Sequence, residues 1–135
     1  MQVIDPSIFK AYDIRGVAGE NLTADVVEKI GRVLGSMAVE SGVGPVCVGR
    51  DGRLSGPELK GALIRGIAAA GADVYDIGMV PTPVLYFATK YFGSGSGVSV
   101  TGSHNPSRDN GLKLMLGGKT LFGPMIQDIR RRVES

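Results

Sequence analysis

Three short segments of this 135-residue sequence bring together side chains that could handle an anion. Gly49-Arg50-Asp51-Gly52-Arg53 supplies two arginines, Met79 to Thr82 leads into a helix start, and Thr101 to Asn110 carries Ser103 and His104. The first two open helices at Ser55 and Thr82, where unpaired backbone N–H groups favour negative charge. Phosphate is the group such an edge suits best. By residue type alone, each candidate also has a plainer reading. Ser103-His104 is a polar turn, and Lys113 is a solvated lysine on a strand. Arg50 and Arg53 orient their own loop around Asp51, and Tyr12 and Arg15 cover a sheet edge.

The elements that must position these residues follow from spacing. Val26, Val27, Ile30, Val33, Leu34, Met37 and Ala38 repeat at helical period after a Thr23 cap, with Leu22 placed to staple onto Val27. Val46-Cys47-Val48 reads as a buried strand. Ser55 and Glu58 form a capping-box pair for a second helix, which carries Leu59, Ala62, Leu63, Gly66, Ile67 and Ala70 and stops at Gly71. Asp73 to Gly78 is a second strand, and Thr82 caps a third helix with Pro83 in the first helical position. Gly97 to Thr101 is a third strand. Gly111 to Leu116 is a fourth, with Leu112, Leu114 and Leu116 on one face and Lys113 on the other. Gly117-Gly118 turns the chain into a closing helix, Phe122 to Val133.

Strand, helix, strand, helix, strand predicts three parallel strands, and the link to the fourth is too short for a crossover helix, so it returns antiparallel. The expected fold is α/β: three layers, α/β/α, around a small mixed four-stranded sheet, in one domain spanning residues 1–135. Ligands bind such sheets beyond the carboxyl ends of the parallel strands, where the three segments converge.

Composition excludes other classes. A 43% hydrophobic and 21% charged chain is that of a soluble globular domain, and a net charge of +2 implies neither nucleic acid nor membrane. No apolar run reaches membrane-spanning length, and the first ten residues lack the order of a signal peptide, so a cytoplasmic location is expected. Cys47 is the only cysteine, and its apolar run marks it as a buried inert thiol. His104 is the only histidine, which rules out a histidine metal cluster and most hydrolase triads. Gly118-Lys119-Thr120 is no phosphate-binding P-loop, because Lys113 stands where its first glycine is required. Gly93 to Gly97 precedes a strand, so it is no dinucleotide fingerprint. Arg130-Arg131-Arg132 reads as a solvated helix end complementing the helix dipole.

Thr101-Gly102-Ser103-His104-Asn105-Pro106 resembles the phosphoserine loop of the α-D-phosphohexomutases. Three further stretches fall in that family's order: Phe9 to Gly16, Gly49 to Ser55, and Asn110-Gly111-Leu112-Lys113. The resemblance covers almost the whole chain and is closest to the phosphomannomutase/phosphoglucomutase branch. It implies domain 1 of a four-domain enzyme that interconverts hexose 1-phosphate and hexose 6-phosphate through a bisphosphorylated sugar. Ser103 would then be the phosphoryl carrier, and its phosphate one ligand to Mg²⁺. His104 and Asn105 would contact substrate, Lys113 and Arg15 would serve proton transfer and charge stabilisation, and Tyr12 would line the cleft. Hexose 1,6-bisphosphate would be activator and intermediate, and the remaining domains the necessary partners, so the chain alone is expected to be inactive. Two positions depart from the family's pattern: Asp109 replaces an aromatic residue, and Leu112 a common phenylalanine. The alternative reading is a stand-alone phosphate-binding or scaffolding module. A nucleotide-binding regulator finds no fingerprint.

Overall fold

The computed structural model describes residues 4–102 and 105–135. After a 3-10 turn at Pro6–Ile8, the chain runs β1 (Ile14–Val17), α1 (Ala24–Ser41), β2 (Val46–Arg50) and α2 (Gly56–Ala69). It continues as β3 (Val74–Met79), α3 (Thr82–Tyr91), β4 (Ser96–Val100), β5 (Asp109–Leu116), β6 (Lys119–Thr120) and α4 (Pro124–Glu134). The Thr23 side chain accepts from the Val26 N–H at 3.3 Å and so starts α1 where the periodicity does.

β2 pairs in parallel with both β3 and β4, as two successive crossover units require, and β5 returns antiparallel to β4. The sheet is larger than the four strands expected. Its order is β1-β5-β4-β2-β3, with β6 also paired to β5. β1 is an edge strand of Ile-Arg-Gly-Val, too short and mixed to show a period, and its identity comes from antiparallel pairing with β5. β6 exists because Gly117 and Gly118 both hold positive φ, 58° and 84°, and so turn β5 into a tight hairpin.

Alternation along the strands sorts the two faces. Val46, Val48, Val98, Val100, Leu112 and Leu114 point into one apolar core with residues of α1, α2 and α4. On the opposite face, Gly97 lies under Leu85 and Thr89 of α3. The helices therefore lie on both faces, three against one. On that face α3 packs against β2 and β4. Cys47 is buried in β2, and burial pushes its thiol pKa up, away from reactivity. No described helix is long and apolar enough to cross a membrane.

Two expected caps are corrected. Ser55 adopts helical φ and ψ and makes no side-chain cap hydrogen bond, so the Ser55–Glu58 capping box does not form. Its hydroxyl instead accepts from the Asn110 side-chain amide at 2.8 Å. Thr82 lies inside α3 rather than capping it. Pro81 holds the cap position, and the Thr82 hydroxyl lies 3.4 Å from that of Ser99.

Candidate active site

Beside α3, the same face of the sheet carries a cleft. Arg15 and Lys113 project into it because Ile14 and its partner Leu112 on β5 point the other way, into the core. A cleft of about 450 Å³ is lined by Lys10, Ala11, Tyr12, Asp13, Arg15, Tyr86, Lys113 and Thr120. Tyr12, just before β1, is 75% exposed. Three of the residues expected from sequence thus meet on one surface, although Arg15 and Lys113 are 98 positions apart in the chain (113 − 15).

Arg15 is aimed by two partners. Its Nε donates to Asp13 Oδ1 at 3.2 Å, and a terminal nitrogen donates to Asn105 Oδ1 at 3.4 Å. Arg15 therefore joins the edge strand to the β4–β5 loop. A smaller adjoining cleft, about 300 Å³, holds Lys10, Arg15, Asn105 and Asp109 among its lining. Asp109 thus shares this lining with two cationic residues. Ser103 and His104 lie outside the described residues, and the residues on either side of them are fixed: the Asn105 N–H donates to the Gly102 carbonyl at 3.0 Å.

The β2–α2 loop does more than orient itself. Arg50 does stay local, donating to the Asp51 carbonyl at 2.9 Å. Arg53 reaches across to the β4–β5 loop, where it donates to the carbonyls of Asn105 (2.9 Å), Pro106 (2.6 Å) and Asp109 (3.2 Å). The Asp51 carboxylate accepts from the Arg53 N–H and Nε, from the Thr101 hydroxyl at 2.9 Å and from the Gly102 N–H at 3.0 Å. Burial pushes the Asp51 carboxyl pKa up. The donors from the Arg53 backbone, Thr101, Gly102 and the Arg53 side chain outweigh it and hold the pKa below the ordinary value. Another cleft, about 760 Å³, runs along this loop past Leu54, Ser55, Ser107 and Arg108, and among the described residues the one expected site residue in its lining is Asn105.

Sequence reading did not assign Lys10, Asp13 or Tyr86 to the site. Asp13 sits two residues before Arg15, a spacing that places both on one side of an extended chain. Tyr86 lies on α3 and reaches the cleft from that side.

Residues 6–135 match the family described as phosphoglucomutase/phosphomannomutase, alpha/beta/alpha domain I. A phosphomannomutase/phosphoglucomutase of Pseudomonas aeruginosa is 54% identical over 128 residues, covering 95% of this chain and 28% of that protein. A phosphoglucomutase of Neisseria gonorrhoeae is 52% identical over 134 residues, covering 99% of this chain and 29% of that protein. The crystal structure of a phosphoglucomutase/phosphomannomutase family protein from Burkholderia thailandensis superposes with a TM-score of 0.92 at 52% identity, over 98% of this chain and 31% of that one. The chain therefore spans less than a third of the length of these relatives.

Proposed function

Because the chain belongs to the phosphoglucomutase/phosphomannomutase family, as an α/β/α domain I, we propose that it is the phosphoserine-bearing domain of a phosphohexomutase. Ser103 is the phosphoryl carrier in this reading. A hydroxyl oxygen of a hexose monophosphate attacks the phosphorus held on Ser103. The bond from phosphorus to Oγ breaks, and the hydroxyl proton passes by way of a base to the departing Oγ. The bisphosphorylated sugar turns over, and the reverse step returns its other phosphoryl group to Ser103.

Each neighbour has a part that its chemistry allows. Lys113 can release and regain a proton, whereas an arginine stays charged, so Arg15 stabilises the charge on the transferring group. His104, Asn105 and Tyr12 hold the sugar phosphate. The observation that carries the reading is the meeting of Arg15, Lys113 and Tyr12 in one cleft, with Arg15 bound to Asn105 two residues beyond Ser103.

Mg²⁺ and a hexose 1,6-bisphosphate activator belong to the same proposal. Among the described residues no three carboxylate, imidazole or thiol groups come together, so they do not by themselves fit the ion. Its ligands would be the phosphate on Ser103 and groups of domains beyond this one. Positioning from all sides is what phosphoryl transfer requires, so the 135 residues alone lack mutase activity. The test is a coupled assay with glucose 1-phosphate and mannose 1-phosphate. The full-length protein turns over, its Ser103→Ala form does not, and the isolated chain does not. Repeated turnover by the isolated chain would contradict the partition of labour among domains, and an active Ser103→Ala enzyme would contradict the carrier.

A further inference from the structure

Resting on that reading of Ser103, we infer that Arg53, braced by Asp51, is a positioning residue for the phosphoryl transfer, holding both shoulders of the loop that carries the serine. The entering shoulder, Thr101 and Gly102, is bound by the Asp51 carboxylate. The leaving shoulder, Asn105, Pro106 and Asp109, is bound through its carbonyls by the Arg53 guanidinium. Acid and base meet at 3.2 Å, so one ion pair fixes residues on either side of positions 103 and 104.

The alternative for Arg53 is a cation facing the phosphate. Its geometry favours the loop: Nε donates to Asp51, each terminal nitrogen donates to a backbone carbonyl of the loop, and 13% of the side chain is exposed. Five donors on a rigid planar fork can serve several acceptors at once, which an ammonium on a flexible stem cannot reproduce. Gly102 completes the fit, because a Cβ there would overlap the guanidinium. A side chain at position 102 would thus have to displace the guanidinium from this position.

The roles separate in the full-length enzyme that carries this domain, compared as wild type, Arg53→Lys, Arg53→Gln and Asp51→Asn. The measurements are steady-state turnover of glucose 1-phosphate, the urea midpoint, and hydrogen exchange of the peptide spanning residues 101–110. Loop misplacement predicts a kcat lower by ~10- to 100-fold with KM changed by less than about threefold. It also predicts faster exchange confined to that peptide, and Arg53→Lys as impaired as Arg53→Gln. Full rescue by lysine would overturn the proposal in favour of a charge role. So would a fall in kcat without faster exchange. Should the Arg53 forms fail to fold, Asp51→Asn keeps the side-chain size and carries the same expectations. An inactive wild-type enzyme would overturn the phosphoserine reading and this proposal with it. An active wild type beside an equally active Arg53→Lys form would overturn this proposal alone.

Discussion

The Arg15 guanidinium and the Asn105 side-chain oxygen, ninety residues apart in sequence, are joined by a hydrogen bond of 3.4 Å that ties the edge strand β1 to the loop after β4. Arg15 is 40% exposed, so its ion pair with Asp13 contributes at most about 1 kcal/mol to folding. Arg15→Ala in the full-length enzyme should therefore lower kcat/KM by ~100-fold or more while leaving the urea midpoint nearly unchanged. Kinetics and urea unfolding on the same preparation check both halves.

Lys113 makes the complementary case. It is half-buried on β5, cross-strand from Ser99, with its neighbours Leu112 and Leu114 facing the core. Lys113→Met keeps the stem and removes the proposed proton carrier. Turnover should fall by ~100-fold or more, with stability changed by no more than about 0.5 kcal/mol. A stable variant with normal kcat would remove Lys113 from the chemistry.

The β-strand and helix pattern was legible because apolar periodicity records burial. The α1 stripe, the buried β2 run and the alternation of Leu112, Lys113 and Leu114 all follow from it. β1 was not legible, since four residues with a glycine and an arginine among them show no period and gain their strand from β5. The Ser55–Glu58 box failed for a similar reason: Asn110, 55 positions away, takes the serine hydroxyl. Within the site, the sequence carried the residue types and the family's motifs. It could not carry the reach of Arg53 to Asn105, Pro106 and Asp109, which exists only once β2 and β4 lie side by side.

The Asp51 carboxyl, with its pKa held below the usual 3.8, makes a signed prediction. A depressed folded-state pKa adds stability above the unfolded-state value, and that share is lost as pH falls through the folded one. Asp51→Asn should be less stable than wild type near neutral pH, and the two urea midpoints should draw together below about pH 4. A gap that stays constant down to the acid limit would show that the charge plays no part.

Packing between α1 and α2 sets a pair of opposite expectations. A Cβ at Gly66 would run into the Glu28 carbonyl, whereas one at Gly61 meets nothing closer than an Arg65 nitrogen at 3.5 Å. Gly66→Ala should destabilise by about 1–3 kcal/mol despite its better helix propensity. Gly61→Ala, in the same helix, should stabilise by about 0.5–1 kcal/mol. Urea unfolding of the two single variants decides it.

Phosphopeptide mass spectrometry tests the proposed role of Ser103 as phosphoryl carrier most directly. The full-length enzyme would be incubated with Mg²⁺ and glucose 1,6-bisphosphate, digested, and its phosphorylated residue located before and after a chase with excess unphosphorylated glucose. The expected result is a phosphoryl group at Ser103, and at no other serine of this domain, that the chase depletes. An enzyme that turns over hexose phosphates while Ser103 stays unmodified, or keeps its phosphate through the chase, would contradict it.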